Sequence, residues 1–151
     1  MLAGPDAYRL IKHFESLRLT SYLDPKGVVT VGYGHTGDDV HHPSIITREE
    51  AERLLNEDVH YFETKLLRML KRDPTQNQFD AMISWIFNIG EDRAGKSTLI
   101  KFYNLGQDNE ASTEFLRWSN ITIKGKPVRY RGLVNRRQAE RELFLTGKMS
   151  F

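Results

Sequence analysis

The chain contains no cysteine, which excludes disulfide scaffolds, thiolate metal sites and cysteine nucleophiles. Nor does it contain an apolar run approaching the roughly 18 residues of a membrane span. Met1 to Arg9 has neither a basic region nor an apolar stretch, so no secretory signal is read there. There is no internal repeat and no low-complexity tract. These absences leave the expectation of a soluble globular protein made in a cytoplasm, with no stable membrane insertion. With 151 residues the chain fits one compact domain, at a size where about 70% of the unfolded surface can be buried. Its 39% hydrophobic content, including 8 Phe, 6 Tyr and 2 Trp, is enough apolar material for a core.

Net charge is only +2, but it is unevenly spread. From Arg117 onward there are nine lysines and arginines against Glu140 and Glu142, a net +7 that leaves −5 for residues 1–116. Such a split suggests a surface facing something anionic: nucleic acid, a membrane surface or an acidic polymer. Charge alone fits an ordinary solvated, salt-bridged face at least as well.

The first helix is expected from Pro5, a residue suited to the first helical position, to about Arg18. Tyr8, Leu10, Ile11, Phe14 and Leu17 form its apolar arc. Leu19 to Gly34 then turns rich in Val, Tyr and Thr around Asp24-Pro25-Lys26-Gly27, a type I turn sequence, and reads as a β-hairpin. Beyond a loop, Thr47-Arg48-Glu49-Glu50 fits a capping box and opens a helix of about 25 residues, stopped by Asp73-Pro74. That helix would span roughly 38 Å, a strut between two lobes. Thr75-Gln76-Asn77-Gln78 opens an apolar helix ending at Gly90. Shorter helices are expected at 97–105 and 109–118, then a loop over 120–132 and a last helix ending at Gly147. The layout is α+β, one short β-region followed by helices. Its N-lobe covers about 13–60, the connecting helix about 47–72, and the C-lobe about 74–151 with 1–12.

Glu15 falls at the edge of the first helix's apolar arc, where a carboxyl is desolvated and its protonated form favoured. That is what a general acid needs, although a helix-end glutamate paired with Lys12 or Arg18 is the commoner circumstance. The hairpin adds to the picture. If Gly27 is left-handed and forms a bulge, Asp24 pairs with Val28, Leu23 with Val29 and Tyr22 with Thr30. Alternation then puts Tyr22, Asp24, Val28 and Thr30 on one face, whereas a two-residue loop would separate Asp24 from Thr30. A carboxylate and a hydroxyl can hold a water while a second carboxyl supplies a proton, as in an inverting glycosidase. The residues permit glycoside hydrolysis without compelling it.

The spacing Glu15, eight residues, Asp24, five residues, Thr30 resembles the triad of phage-type lysozymes, the endolysins of glycoside hydrolase family 24. Phe14-Glu15-Ser16-Leu17-Arg18, Val31-Gly32-Tyr33-Gly34-His35-Thr36, Phe87-Asn88-Ile89-Gly90 and Gly132-Leu133-Val134-Asn135-Arg136-Arg137 fit the same family in order. The likeness covers almost the whole chain. It implies a lysozyme-like fold and a cofactor-free, metal-free muramidase, cutting the β-1,4 bond between N-acetylmuramic acid and N-acetylglucosamine of bacterial peptidoglycan. By the same likeness Glu15 protonates the leaving oxygen and Asp24 and Thr30 position water. Gly34 and Phe87 line the sugar cleft, Arg136 pairs with Glu15, and His35 with Asp58 forms a structural salt bridge. A monomer is implied, made in the host cytoplasm and released to the cell wall with the help of a holin.

Other signals compete. Gly90 to Ser97 matches the phosphate-binding P-loop letter for letter, but a helical pattern precedes it where a strand is required, and Glu91 and Asp92 put negative charge where phosphate would sit. Asp38, Asp39, His41 and His42 read as a solvated loop rather than a metal site. A lytic transglycosylase would cut the same bond with one glutamate and no positioned water, so Asp24 and Thr30 argue against it. A nucleic-acid-binding module is the alternative from another class, yet the basic segment carries no recognition motif.

Overall fold

The most heavily packed element of the fold is a single helix, α3 (Gln76–Ile89). Its Phe79, Met82, Ile83, Trp85 and Ile86 are completely buried, so this computed structural model, which describes all of Met1–Phe151, has its core where the apolar spacing predicts. Thr75 caps the helix: its hydroxyl accepts from the Gln78 amide while the Gln78 side chain accepts from the Thr75 amide, a complete capping box. Gly90 closes it at φ +88°. Around α3 lie α1 (Pro5–Glu15), α2 (Arg48–Met69), α4 (Glu91–Gly95), α5 (Thr98–Asn104), α6 (Asp108–Glu114) with a short 3-10 turn at Phe115–Arg117, and α7 (Arg131–Thr146). Trp85 meets Phe115 and Trp118 edge-on at 6.0 and 6.1 Å, and Phe115 meets Phe144 at 5.5 Å. No helix is long and apolar enough to cross a membrane.

The small β-region is β1 (Arg18–Leu23) paired antiparallel with β2 (Val29–Gly32). Its register is the expected one: Tyr22 opposite Thr30, Leu23 opposite Val29, and the Asp24 amide donating to the Val28 carbonyl at 2.9 Å. Gly27 sits at φ +81°, the left-handed conformation that the bulged turn requires. The other edge of β1 is covered by Ser44–Ile46, which bonds back at Ser21 and Leu19.

The 22-residue α2 carries this β-region at its start and helical packing at its end. Gly32 lies against Ala51, and Gly95 against Met69. His35 pins the loop after β2 to α2, with Nδ1 2.8 Å from Asp58 and Nε2 3.0 Å from Asp39. Both ring nitrogens face carboxylates, so the imidazolium suits the site. Burial alone would lower the His35 pKa, but these two carboxylates outweigh it and raise it. For Asp58 burial wins over the histidine and raises its pKa, whereas the exposed Asp39 is lowered, chiefly by its hydrogen bond to His35.

Several expectations need correction. α1 stops at Glu15 rather than Arg18, because Ser16 takes φ +57° and Arg18 pairs with Gly32 in the sheet. Thr47 accepts from the Glu50 amide, but Glu50 does not return the bond, so α2 has a half-formed box. Residues 91–95 form a helix after a helix, not a loop after a strand, which removes the P-loop geometry. Residues 120–132 are not a loop throughout: β3 (Asn120–Ile123) and β4 (Lys126–Arg129) pair as a second hairpin. Its two-residue turn, Lys124-Gly125, has positive φ at both positions, as a type I′ turn does.

Replacing Thr75 with alanine should lower stability by about 1 kcal/mol in urea unfolding. An unchanged midpoint would show the cap contributes nothing. The raised pKa of His35 also sets a pH dependence. Its contribution is complete below the unfolded value of about 6.5 and disappears as pH rises through the higher folded value. The melting-temperature deficit of His35→Asn should therefore be larger near pH 5.5 than near pH 8.5. A deficit that grows with pH would contradict this account.

Candidate active site

Glu15 is the last residue of α1, and the break at Ser16 leaves its side chain between the helix and the β-region. Its Oε2 accepts from Arg136 Nη1 at 2.7 Å, across 121 residues of sequence. The carboxyl is 20% exposed and the guanidinium 3%, so the pair is closed on the arginine side and open on the glutamate side. Gly34 borders the other oxygen. A Cβ at that position would come within 2.9 Å of Glu15 Oε1, and the backbone stands at φ +77°. Any side chain at residue 34 would collide with the carboxyl and strain the turn.

Arg136 is itself held by a buried cluster. Its Nη2 donates to the Ser84 carbonyl at 3.0 Å and its Nε lies 3.3 Å from Glu140 Oε2. Ser84 Oγ donates to the same Glu140 oxygen at 2.6 Å. Arg137, completely buried, donates to Glu140 at 3.0 Å and to Asn88 at 2.9 Å. Burial lowers the Arg137 pKa, against the pull of Glu140. Arg136 and Arg137 are thus faced by the carboxyls of Glu15 and Glu140, so each of the four groups has a partner, the condition under which buried ionisable groups are tolerated. Sequence spacing alone gave no sign of Ser84, Arg137 or Glu140, although the i, i+3 and i, i+4 placement of Glu140 after Arg137 and Arg136 allows one glutamate to serve both.

Asp24 spends one oxygen on its own turn: Oδ1 accepts from the Lys26 and Val28 amides, each at 2.8 Å. Both are local bonds that fix the carboxylate, while Oδ2 has no protein donor. Thr30, 4% exposed, donates to the Val28 carbonyl at 3.0 Å, so its lone pairs remain for another donor. The hairpin register puts both on one face of the β-region.

Beside Asp24 opens a cleft of about 940 Å³ between the two hairpins and the helices. Asp24, Asn88, Arg93, Trp118 and Ile121 are among its walls, with the Arg93 guanidinium 4.8 Å above the Trp118 ring. Glu15, Thr30, Gly34 and Phe87 lie outside that lining, which of the expected site residues includes Asp24. Phe87 packs against α2 instead. Its ring lies 5.7 Å from Phe62, because the turn of α3 that carries Asn88 and Ile89 into the cleft sends Phe87 toward α2. Asp38, His41 and His42 join no metal-binding group; His42 Nδ1 lies 2.9 Å from Ser21 Oγ instead.

The sequence model of the family described as phage lysozyme matches residues 12–140. The endolysin of Bacillus phage B103 is 45% identical over 141 residues, 92% of this chain and 52% of that protein, so the chain spans about half the length of that relative. The endolysin of Acyrthosiphon pisum secondary endosymbiont phage 1 is 44% identical over 89% of this chain and 92% of its own length. Among solved structures, an endolysin from Escherichia coli O157:H7 phage FAHEc1 superposes with a TM-score of 0.92 at 36% identity, covering 100% of this chain and 98% of that one. The muramidase domain of SpmX from Asticaccaulis excentricus gives 0.89 at 33% identity, over 95% of this chain and 97% of that one. The chain belongs to the phage lysozyme family of glycoside hydrolases.

Proposed function

We propose that this chain is an endolysin that hydrolyses the β-1,4 bond between N-acetylmuramic acid and N-acetylglucosamine in peptidoglycan. The observation that carries the reading is the clamped, half-open Glu15 carboxyl, held by Arg136 and given clearance by Gly34. Family membership, and likeness to a muramidase domain at a TM-score of 0.89, support the choice of bond.

In this mechanism the Glu15 proton passes to the leaving oxygen as the bond to the muramyl C1 breaks. Water held between Asp24 and Thr30 attacks C1 and gives its proton to the free oxygen of Asp24. Asp24 is ready for this because its other oxygen is fixed by two turn amides. Arg136 keeps the acid in place. Gly34 and Phe87 border the bound sugars in this reading, as the family likeness implies. His35 and Asp58 hold the loop after β2 and take no part in the chemistry. No residue in this sequence of steps calls for a cofactor. The same reading includes a monomeric enzyme, folded in the host cytoplasm and reaching the wall through a holin, as the family likeness implies.

Glu15→Gln should reduce the clearing of bacterial cell walls by about 10²–10⁴-fold, the usual worth of a general acid. It should keep its fold, because the amide oxygen can still accept from Arg136. Asp24→Ala and Thr30→Ala should each lose about 10²-fold. Near-wild-type clearing by Glu15→Gln would sink the mechanism. Mass spectrometry of released fragments should show ordinary reducing ends, whereas 1,6-anhydro ends would mean transglycosylation without the water.

A further inference from the structure

The positive charge of the C-terminal segment is placed more narrowly than its total suggests. Arg136 and Arg137 are neutralised inside the protein, and Arg117 pairs with Glu114. What remains exposed is concentrated on and beside the second hairpin: Lys124, Lys126, Arg129 and Arg131. None of the four makes an ion pair, and no Asp or Glu occurs between Glu114 and Glu140. Local stability does not account for them. Arg131 is the first residue of α7 and Arg129 lies just before it, where a helix dipole disfavours cations. Every residue of β3 and β4 is exposed, so the hairpin contributes nothing to the core.

Its position gives the charge a direction. Asn120, Ile121, Thr122, Ile123 and Pro127 form one wall of the cleft, and Asp24, Pro25 and Lys26 of the first hairpin form part of another. Each hairpin cation adjoins a residue of that wall: Lys124 follows Ile123, Lys126 pairs with Ile123 and precedes Pro127, and Arg129 pairs with Asn120. We propose that Lys124, Lys126 and Arg129 form a specificity rim that binds the carboxylates of the peptide stems projecting from a glycan strand lying in the cleft. This rests on the muramidase reading, since it assumes such a strand in that groove. Stem peptides leave the sugar chain through the lactyl group of each muramic acid and carry free carboxylates, so a strand seated in the cleft passes them across this rim. An anionic membrane would be the rival target for a basic hairpin bearing Ile121 and Ile123. Ile121 and Ile123, though exposed, belong to the cleft wall, however, which leaves Val128 as the hairpin's exposed apolar side chain away from it, too little to hold a membrane surface.

The test is co-sedimentation with purified sacculi freed of accessory anionic polymers, using the full chain carrying Glu15→Gln so that the wall stays intact. The parent is compared with K124Q/K126Q/R129Q, all at exposed sites without ion pairs, with equal unfolding midpoints checked first. Sacculi are used as prepared and after amidation of their carboxyl groups. The rim account expects the triple substitution to weaken binding about tenfold at low salt, the sum of three exposed ionic contacts. It also expects amidation to weaken the parent by a similar factor and to leave the triple variant unaffected. Unchanged binding by the triple variant would overturn it, as would equal sensitivity of both proteins to amidation. Loss of binding to phosphatidylglycerol vesicles with sacculus binding intact would overturn it in favour of a membrane surface. Failure of the underlying reading is separately visible: the wild-type chain would then release no muropeptides, whatever the binding results.

Discussion

The bond between Glu15 and Arg136 is the joint on which the rest of the site depends. It ties the end of α1 to α7, and through Ser84, Glu140 and Arg137 it reaches α3 and the cleft residue Asn88. Ionisable groups drawn from water are costly unless each finds a partner, and leaving a buried arginine without an acceptor costs about 3–5 kcal/mol. The arrangement therefore has little room to drift. In the proposed mechanism that rigidity has a chemical use, because a proton donor must lie within a fraction of an ångström of its target. The core beneath, from Phe79 to Ile86, supplies the apolar surroundings that make the charges hold to one another.

The first hairpin solves a different problem with the same economy. Asp24 begins the turn, fixes it through two amides, and still keeps one oxygen free. Turn chemistry and water activation are thus compatible in one side chain, and no choice between the structural and the catalytic role is needed. Gly27 makes this possible by inserting the bulge that sets Asp24 and Thr30 on the same face. The second hairpin lies across the cleft, exposed throughout and unburdened by core packing, which leaves its residues free to meet the substrate.

Elements specified by short-range signals were legible in the sequence. The register of the first hairpin followed from Asp24-Pro25-Lys26-Gly27, and the start and stop of α3 from Thr75, Gln78 and Gly90. Features imposed by distant contacts were not. The early end of α1 arises because Arg18 finds Gly32 as a partner, and nothing in the local string Ser16-Leu17-Arg18 announces it. The second hairpin hid behind Pro127 and a Lys124-Gly125 turn lacking the usual Asn or Asp, although Ile121, Ile123 and Val128 carried a weak strand signal. The Glu15–Arg136 pair spans 121 residues and came from family likeness rather than from spacing. The charge tally pointed at an anionic partner, but only the structure separates the arginines that neutralise the core from the cations of the hairpin.

The central claim is that Glu15 and Arg136 are energetically coupled, so that one holds the other in its working position. A double-mutant cycle in urea unfolding at pH 7, with Glu15→Gln, Arg136→Met and the combination, measures that coupling directly. The account predicts a favourable coupling of about 1–3 kcal/mol. Additive effects, with a coupling below about 0.3 kcal/mol, would contradict it.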